Sequence, residues 1–179
     1  MSGSSKVALA FGVPILVLSL IQLIPYGRQH TNPGPERVVA WNSSRTQDLA
    51  RRACFDCHSN ETRWPWYSSI APVSWRIQTH VNEGRKKLNF SAFAPANEKV
   101  AHAAGEAGET ITKGEMPPVD YVLMHPEARL SWAEKNALAQ GLDVTFAAFV
   151  ESGQRQAETR GTVRTPEEPG EGEEREHRP

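Results

Sequence analysis

The hydrophobic positions divide the chain into three unlike stretches. From Val7 to Pro25 no residue is charged and nearly all are apolar. From Arg28 to Val150 apolar residues recur at helical spacing between loops rich in proline and tryptophan. From Glu151 to Pro179 they almost vanish, leaving Glu, Arg, Gly and Pro.

A run as long as Val7–Pro25 just suffices to span a bilayer core as a helix. Lys6 precedes it and Arg28 follows, so residues 1–27 are expected to form an N-terminal membrane anchor with a transmembrane helix over about 7–25. Gly12 and Pro14 are tolerated in such a helix. A cleaved signal peptide is the competing reading, but Leu23-Ile24-Pro25-Tyr26-Gly27 is a poor cleavage site. Counting basic flanks, Lys6 against Arg28, Arg37 and Arg45, leaves the orientation open.

Residues 28–150 read as one domain of four helices. Ser44-x-x-Gln47 resembles a capping box and opens the first, from about Arg45 to Cys54. Pro72 suits the first turn of the second. Val73, Ile77 and Val81 give its spacing, and Gly84 suits its C-terminal cap. The third runs from about Ala96 to Lys113, with Val100, Ala104, Ala107 and Ile111 as its stripe and Gly114 as its stop. The fourth opens at the capping box Ser131-x-x-Glu134 and carries Leu138, Leu142 and Phe149 to about Val150. No stretch alternates as a strand does, so the expected class is all-α. Residues 151–179 cannot bury enough apolar surface to offset the entropy of ordering, and are expected to be a disordered charged tail.

Charge narrows the partners. The chain has 20 Lys+Arg against 21 Asp+Glu, and that balance argues against a nucleic-acid partner. Two cysteines exclude a multi-disulfide scaffold, but their spacing carries the main chemical signal. Cys54-Phe55-Asp56-Cys57-His58 has the form C-x-x-C-H, the signature of covalent c-type haem attachment. Two thiols so spaced can reach both vinyl groups on one porphyrin edge, and the adjoining imidazole can reach the iron. A thioredoxin-like pair would need a βαβ context, and structural zinc would need a second paired motif. A simple disulfide across so short a loop would gain little.

For the second axial ligand the best candidate is Met116, in Gly114-Glu115-Met116-Pro117-Pro118. The prolines forbid a helix and hold the loop extended. His/Met ligation raises the reduction potential and suits electron transfer. His80 is the runner-up. Met124, His102 and His125 fit structural or exposed roles better, and His30 and His177 lie in linker and tail. Trp64, Trp66, Tyr67 and Trp75 are expected to wall the apolar macrocycle, with Arg76 and Arg85 available to its propionates. The alternative for these aromatics is a mini-core with no ligand.

The run from Cys54 through Ser59-Asn60-Glu61-Thr62-Arg63-Trp64-Pro65-Trp66-Tyr67-Ser68 resembles the bacterial haem-binding domain family of small c-type cytochromes. So do Ala71-Pro72-Val73-Ser74-Trp75, His80-Val81, Glu83-Gly84-Arg85, Leu88-Asn89-Phe90-Ser91, Gly114–Pro118 with Tyr121, and His125-Pro126. The resemblance spans about Pro33 to Val150. It implies a cytochrome c-like helical domain around one covalent haem c, with both cysteines attaching the ring and His58 and Met116 on the iron. It also implies an N-terminal anchor and a domain facing the periplasm. Two positions depart from the family pattern: Ala92-Phe93 stands where a tryptophan usually follows Ser91, and the last helix lacks a tryptophan near Asp143.

Haem attachment of this kind happens outside the cytoplasm, which fixes the orientation: cytoplasmic membrane, haem domain on the outer face. The expected function is therefore a membrane-anchored electron-transfer cytochrome rather than an enzyme, touching membrane lipid and redox partner proteins of unknown identity. The rivals are a haem sensor or peroxidase-like enzyme with a displaceable sixth ligand, and a haem-free thiol or disulfide protein.

Overall fold

The structure, a computed structural model, describes residues 3–94 and 96–162. Among them the regular elements are helices: α1 (Gly3–Ile21), α2 (Ser44–Ala53), the single turn α3 (Phe55–His58), α4 (Val73–Lys87), α5 (Glu98–Thr112), α6 (Val119–Met124) and α7 (Trp132–Thr162). The one β feature among the described residues is an isolated bridge between Arg37 and Ala92. The all-α class is as the sequence indicates.

The caps show why the helices start where they do. Ser43, not Ser44, caps α2: it has extended backbone (φ −156°, ψ 155°) and its side chain accepts from the Thr46 N–H. Asn97 does the same for α5, accepting from Lys99 N. The box at α7 forms as read. Ser131 N–H donates to Glu134 Oε2 at 2.8 Å, and Glu134 N–H donates to Ser131 Oγ at 3.3 Å. Arg52 on α2 adds a 2.7 Å ion pair to the same carboxylate.

The core lies where α2, α5 and α7 meet the turn at α3. Leu49, Ala50 and Ala53 come from α2, Ala104 and Ile111 from α5, and Leu138, Leu142 and Phe146 from α7. Aromatic rings tie the loops in. Phe90 lies 5.5 Å from Phe55, and Phe93 lies 5.1 Å from Phe146 and 4.9 Å from Phe149. Phe93 is 1% exposed. It stacks on Phe146, itself 5% exposed, so the two rings fill the core beside α7.

Three expectations are corrected. The apolar run does not form one helix over 7–25. The α-helix ends at Ile21 and the chain tightens into i→i−3 turns through Ile24, while Gln22 Nε2 donates to the Ala71 carbonyl (2.9 Å) and its Oε1 accepts from Ala71 N–H (3.0 Å). The apolar part of α1, Val7–Ile21, is then about 22 Å long at 1.5 Å per residue, against about 30 Å of hydrocarbon. Among the described residues no helix is long and apolar enough to cross a membrane. Second, residues 151–162 continue α7 as helix. Gln154, Arg155, Gln156, Ala157 and Glu158 are strong helix formers extending a helix already nucleated upstream. The expected disorder of 163–179 falls outside the described residues. Third, α4 does not end at Gly84, and its buried face is Ser74, Gln78, Val81 and Gly84 rather than the Val73–Ile77–Val81 stripe.

Candidate haem site

Gly84 sits inside α4 because of what it faces. A side chain there would collide with the backbone carbonyl of Cys57, so only glycine lets α4 lie directly on the C-x-x-C-H turn. That contact sets the first wall of the site. α2 ends at Ala53, the chain turns at Cys54, and the His58 N–H closes α3 on the Cys54 carbonyl at 2.9 Å. The loop after α4 then returns, and Phe90 N–H donates to the His58 carbonyl at 2.8 Å.

His58 is oriented by the end of α4. Its Nδ1 lies 3.0 Å from the Leu88 carbonyl oxygen. A carbonyl only accepts, so Nδ1 carries the hydrogen and Nε2 keeps its lone pair. Burial lowers the His58 pKa, which favours that neutral form. A neutral imidazole with its other nitrogen anchored to a backbone carbonyl is the arrangement metal-ligating histidines use.

The two cysteines are unbridged. Burial pushes the Cys54 thiol up to about 12, with the neighbouring Cys57 adding to the rise. Burial, followed by Asp56, pushes Cys57 up to about 11. These are protonated thiols in an apolar setting, unlike the low-pKa thiolate of a redox-active pair.

The second wall follows α5. Gly114 takes a left-handed conformation (φ +77°). Its N–H donates to the Ile111 carbonyl at 3.1 Å, and that of Glu115 to the Thr110 carbonyl at 3.0 Å. This pair of bonds is a Schellman motif, which reverses the chain and delivers Met116, Pro117 and Pro118 to the site. α6 continues from there. The Tyr121 hydroxyl donates to Asp56 Oδ2 at 2.7 Å, and burial, then the adjacent carboxylate, raises the Tyr121 pKa and keeps that hydroxyl protonated.

Between the walls is a cavity of about 370 Å³. Cys54, Cys57, His58 and Met116 all line it. Ala53, Leu88, Phe90, Ala107, Ile111, Pro117, Pro118 and Leu142 supply most of its apolar surface, with Tyr121 beside them. His80, Glu83, Lys87, Glu106 and Thr110 add polar groups. Two thiols, one imidazole with a free lone pair, one thioether and a largely apolar lining fit a haem. The porphyrin supplies four of the iron's ligands and the protein needs to add only two. Among the described residues no three of His, Cys, Asp and Glu gather as they would around a bare metal ion.

The family model described as haem-binding domain matches residues 16–143. This chain belongs to the haem-binding domain family. No curated protein and no solved structure matches it. In this haem-binding domain the four ligand-type residues expected from the sequence line one cavity, and the aromatic residues expected beside them do not. None of Trp64, Trp66, Tyr67 and Trp75 lines the cavity. Trp64 stacks on His30 at 4.7 Å and donates to Asn32 Oδ1. Trp66 is 79% exposed, with its ring edge against Tyr67. The reason is that Thr62 and Arg63 bond back to Asp56 and turn the chain away from the cavity. Arg85 is also committed elsewhere, to the Ser59 and Thr31 carbonyls, Asn32 and Thr62, and Arg76 pairs with Asp120. Phe90, Tyr121 and Leu142 are among the cavity residues that were not expected from the sequence. Tyr121 had a signal: it follows Met116 by five positions, in the same short segment.

Proposed function

We propose that this haem-binding domain holds one haem c covalently and transfers single electrons. Cys54 and Cys57 would carry the ring through thioether bonds, and His58 and Met116 would be the axial ligands of its iron. The observation that carries the reading is the convergence of these four side chains on one largely apolar cavity, with the His58 Nδ1–H bond to Leu88 leaving Nε2 for a metal. The haem would supply one-electron chemistry at its iron. The chain's own groups would fix the ring, orient the imidazole and exclude water. The two half-buried thiols, whose pKa values desolvation raises, lack the lowered pKa of a thiol–disulfide exchange pair.

Two ligands from the protein would leave no open iron position, which favours electron transfer over peroxidase-like catalysis. Covalent haem c is assembled outside the cytoplasm, so the domain belongs on the outer face of the cytoplasmic membrane, facing redox partner proteins. The exposed apolar helix α1 would keep it near lipid. The test is to express the full chain with a haem-maturation system and record its ferric spectrum. The reading predicts a low-spin haem with an iron–thioether charge-transfer band that disappears in Met116→Ala. A high-spin native spectrum would contradict it.

A further inference from the structure

One buried acidic side chain lies behind the cavity wall rather than in its lining. Asp56 stands between the two cysteines and is 5% exposed. A carboxylate so far from water needs donors. It has two short ones: the Arg63 backbone N–H at 2.9 Å and the Tyr121 hydroxyl at 2.7 Å. The Arg63 guanidinium is farther, at 3.5 Å, and largely exposed.

The two ends of the Asp56–Tyr121 bond belong to different walls. Asp56 lies in the C-x-x-C-H turn. Tyr121, on α6, comes five residues after Met116 in the preceding loop, and Met116 and Tyr121 both line the cavity. Tyr121 is itself held in place: its ring stacks on His125 at 4.2 Å, and His125 Nδ1 donates to its carbonyl at 3.1 Å. The other side-chain tie from α6 is Arg76–Asp120, whose side chains are 66% and 42% exposed. Exposed pairs contribute little, whereas a short, partly buried bond to a carboxylate is among the stronger ones.

We propose that the Asp56–Tyr121 hydrogen bond is a latch: it holds the Met116 segment against the C-x-x-C-H turn and so sets how readily an external ligand replaces Met116 on the haem iron. The inference rests on the proposed axial role of Met116. Tyr121 acts here as a positioning residue through that segment. An incoming ligand binds only when the segment has swung away, so its apparent affinity scales with the fraction of molecules that are open.

The experiment uses the full chain carrying covalent haem. Ferric wild type, Tyr121→Phe, Asp56→Asn, Arg76→Gln and Phe149→Ala are titrated with imidazole, following loss of the thioether band. Phe149 packs on Phe93 away from the cavity, so it reports what general destabilisation does. Tyr121→Phe keeps the ring and removes the donor. It is expected to raise apparent imidazole affinity about tenfold, the ratio that loss of one such bond corresponds to. Asp56→Asn should shift affinity in the same direction, and Arg76→Gln and Phe149→Ala by less than about twofold. Unchanged affinity in Tyr121→Phe, or an equal shift in Phe149→Ala, overturns the latch. A wild-type spectrum with covalent haem but no thioether band removes the Met116 ligation itself, and that is read before any variant is compared.

Discussion

The two walls of the cavity are built on different terms. The wall carrying Cys54, Cys57 and His58 is over-determined. Backbone bonds close it at His58 and Phe90, the Leu88 carbonyl fixes the imidazole, and Gly84 brings α4 into backbone contact. Buried polar side chains brace it, with Asn60 N–H donating to Ser91 Oγ and Arg85 to the Ser59 carbonyl. The wall carrying Met116 hangs from the Schellman turn after α5 and from Tyr121. Beyond it Val119 is 86% and Leu123 74% exposed, and no residue of α6 is buried. One wall is built to stay, and the other is held by few bonds. Under the proposed function the two walls would take unequal roles: permanent attachment on the first, an adjustable iron ligand on the second.

That comparison can be broken from either side. The largest effect is expected from filling the contact under the first wall. Gly84→Val would push α4 off the Cys57 carbonyl and is expected to cost about 5 kcal/mol or more, or to prevent folding, because the clash is with backbone that cannot yield. Thermal melts of the purified variant check it. Next, Phe146→Ala removes a core ring packed between Phe90 and Phe93, with an expected loss of about 3–5 kcal/mol by denaturant unfolding. Met116→Ala, on the second wall, should cost less than about 1.5 kcal/mol, because the side chain is only half-buried, while changing the haem spectrum completely. Equal stability losses for Gly84→Val and Met116→Ala would erase the distinction between the walls.

The smallest effect is a pH dependence far from the site. The Ser131 backbone N–H, then the Arg52 guanidinium, hold the Glu134 carboxyl down at about 2. A carboxyl depressed on folding stabilises above its unfolded pKa, and that contribution fades as pH falls toward the folded value. The melting-temperature difference between wild type and Glu134→Gln should therefore be full at neutral pH and vanish between about pH 4.5 and pH 2.

Much of this was legible in the sequence, and what was missed has physical causes. C-x-x-C-H and the Met116-Pro117-Pro118 segment were readable because their chemistry is carried by spacing and by proline. The Ser131–Glu134 box was readable because both partners lie within one turn. The α2 cap slipped by one residue, since Ser43 and Ser44 are the same residue type and only backbone conformation separates them. α6 was invisible because it is short and buries no residue fully, and so leaves no apolar stripe. The aromatic loop was misplaced because nearness in sequence to His58 stood in for nearness in space. The cavity lining comes instead from α4, α5, α6, α7 and the loop at Phe90, where each residue alone looks like ordinary core. The end of α1 was not legible either, because the partner of Gln22, Ala71, is remote in sequence.

The most direct measurement of the central claim is the intact mass of the denatured protein after expression with a haem-maturation system, for wild type, Cys54→Ser and Cys57→Ser. The account predicts a wild-type polypeptide heavier by one haem, with each single variant losing most or all of the attached species. A wild-type chain at its unmodified mass, or an unchanged haem adduct in both variants, would contradict it.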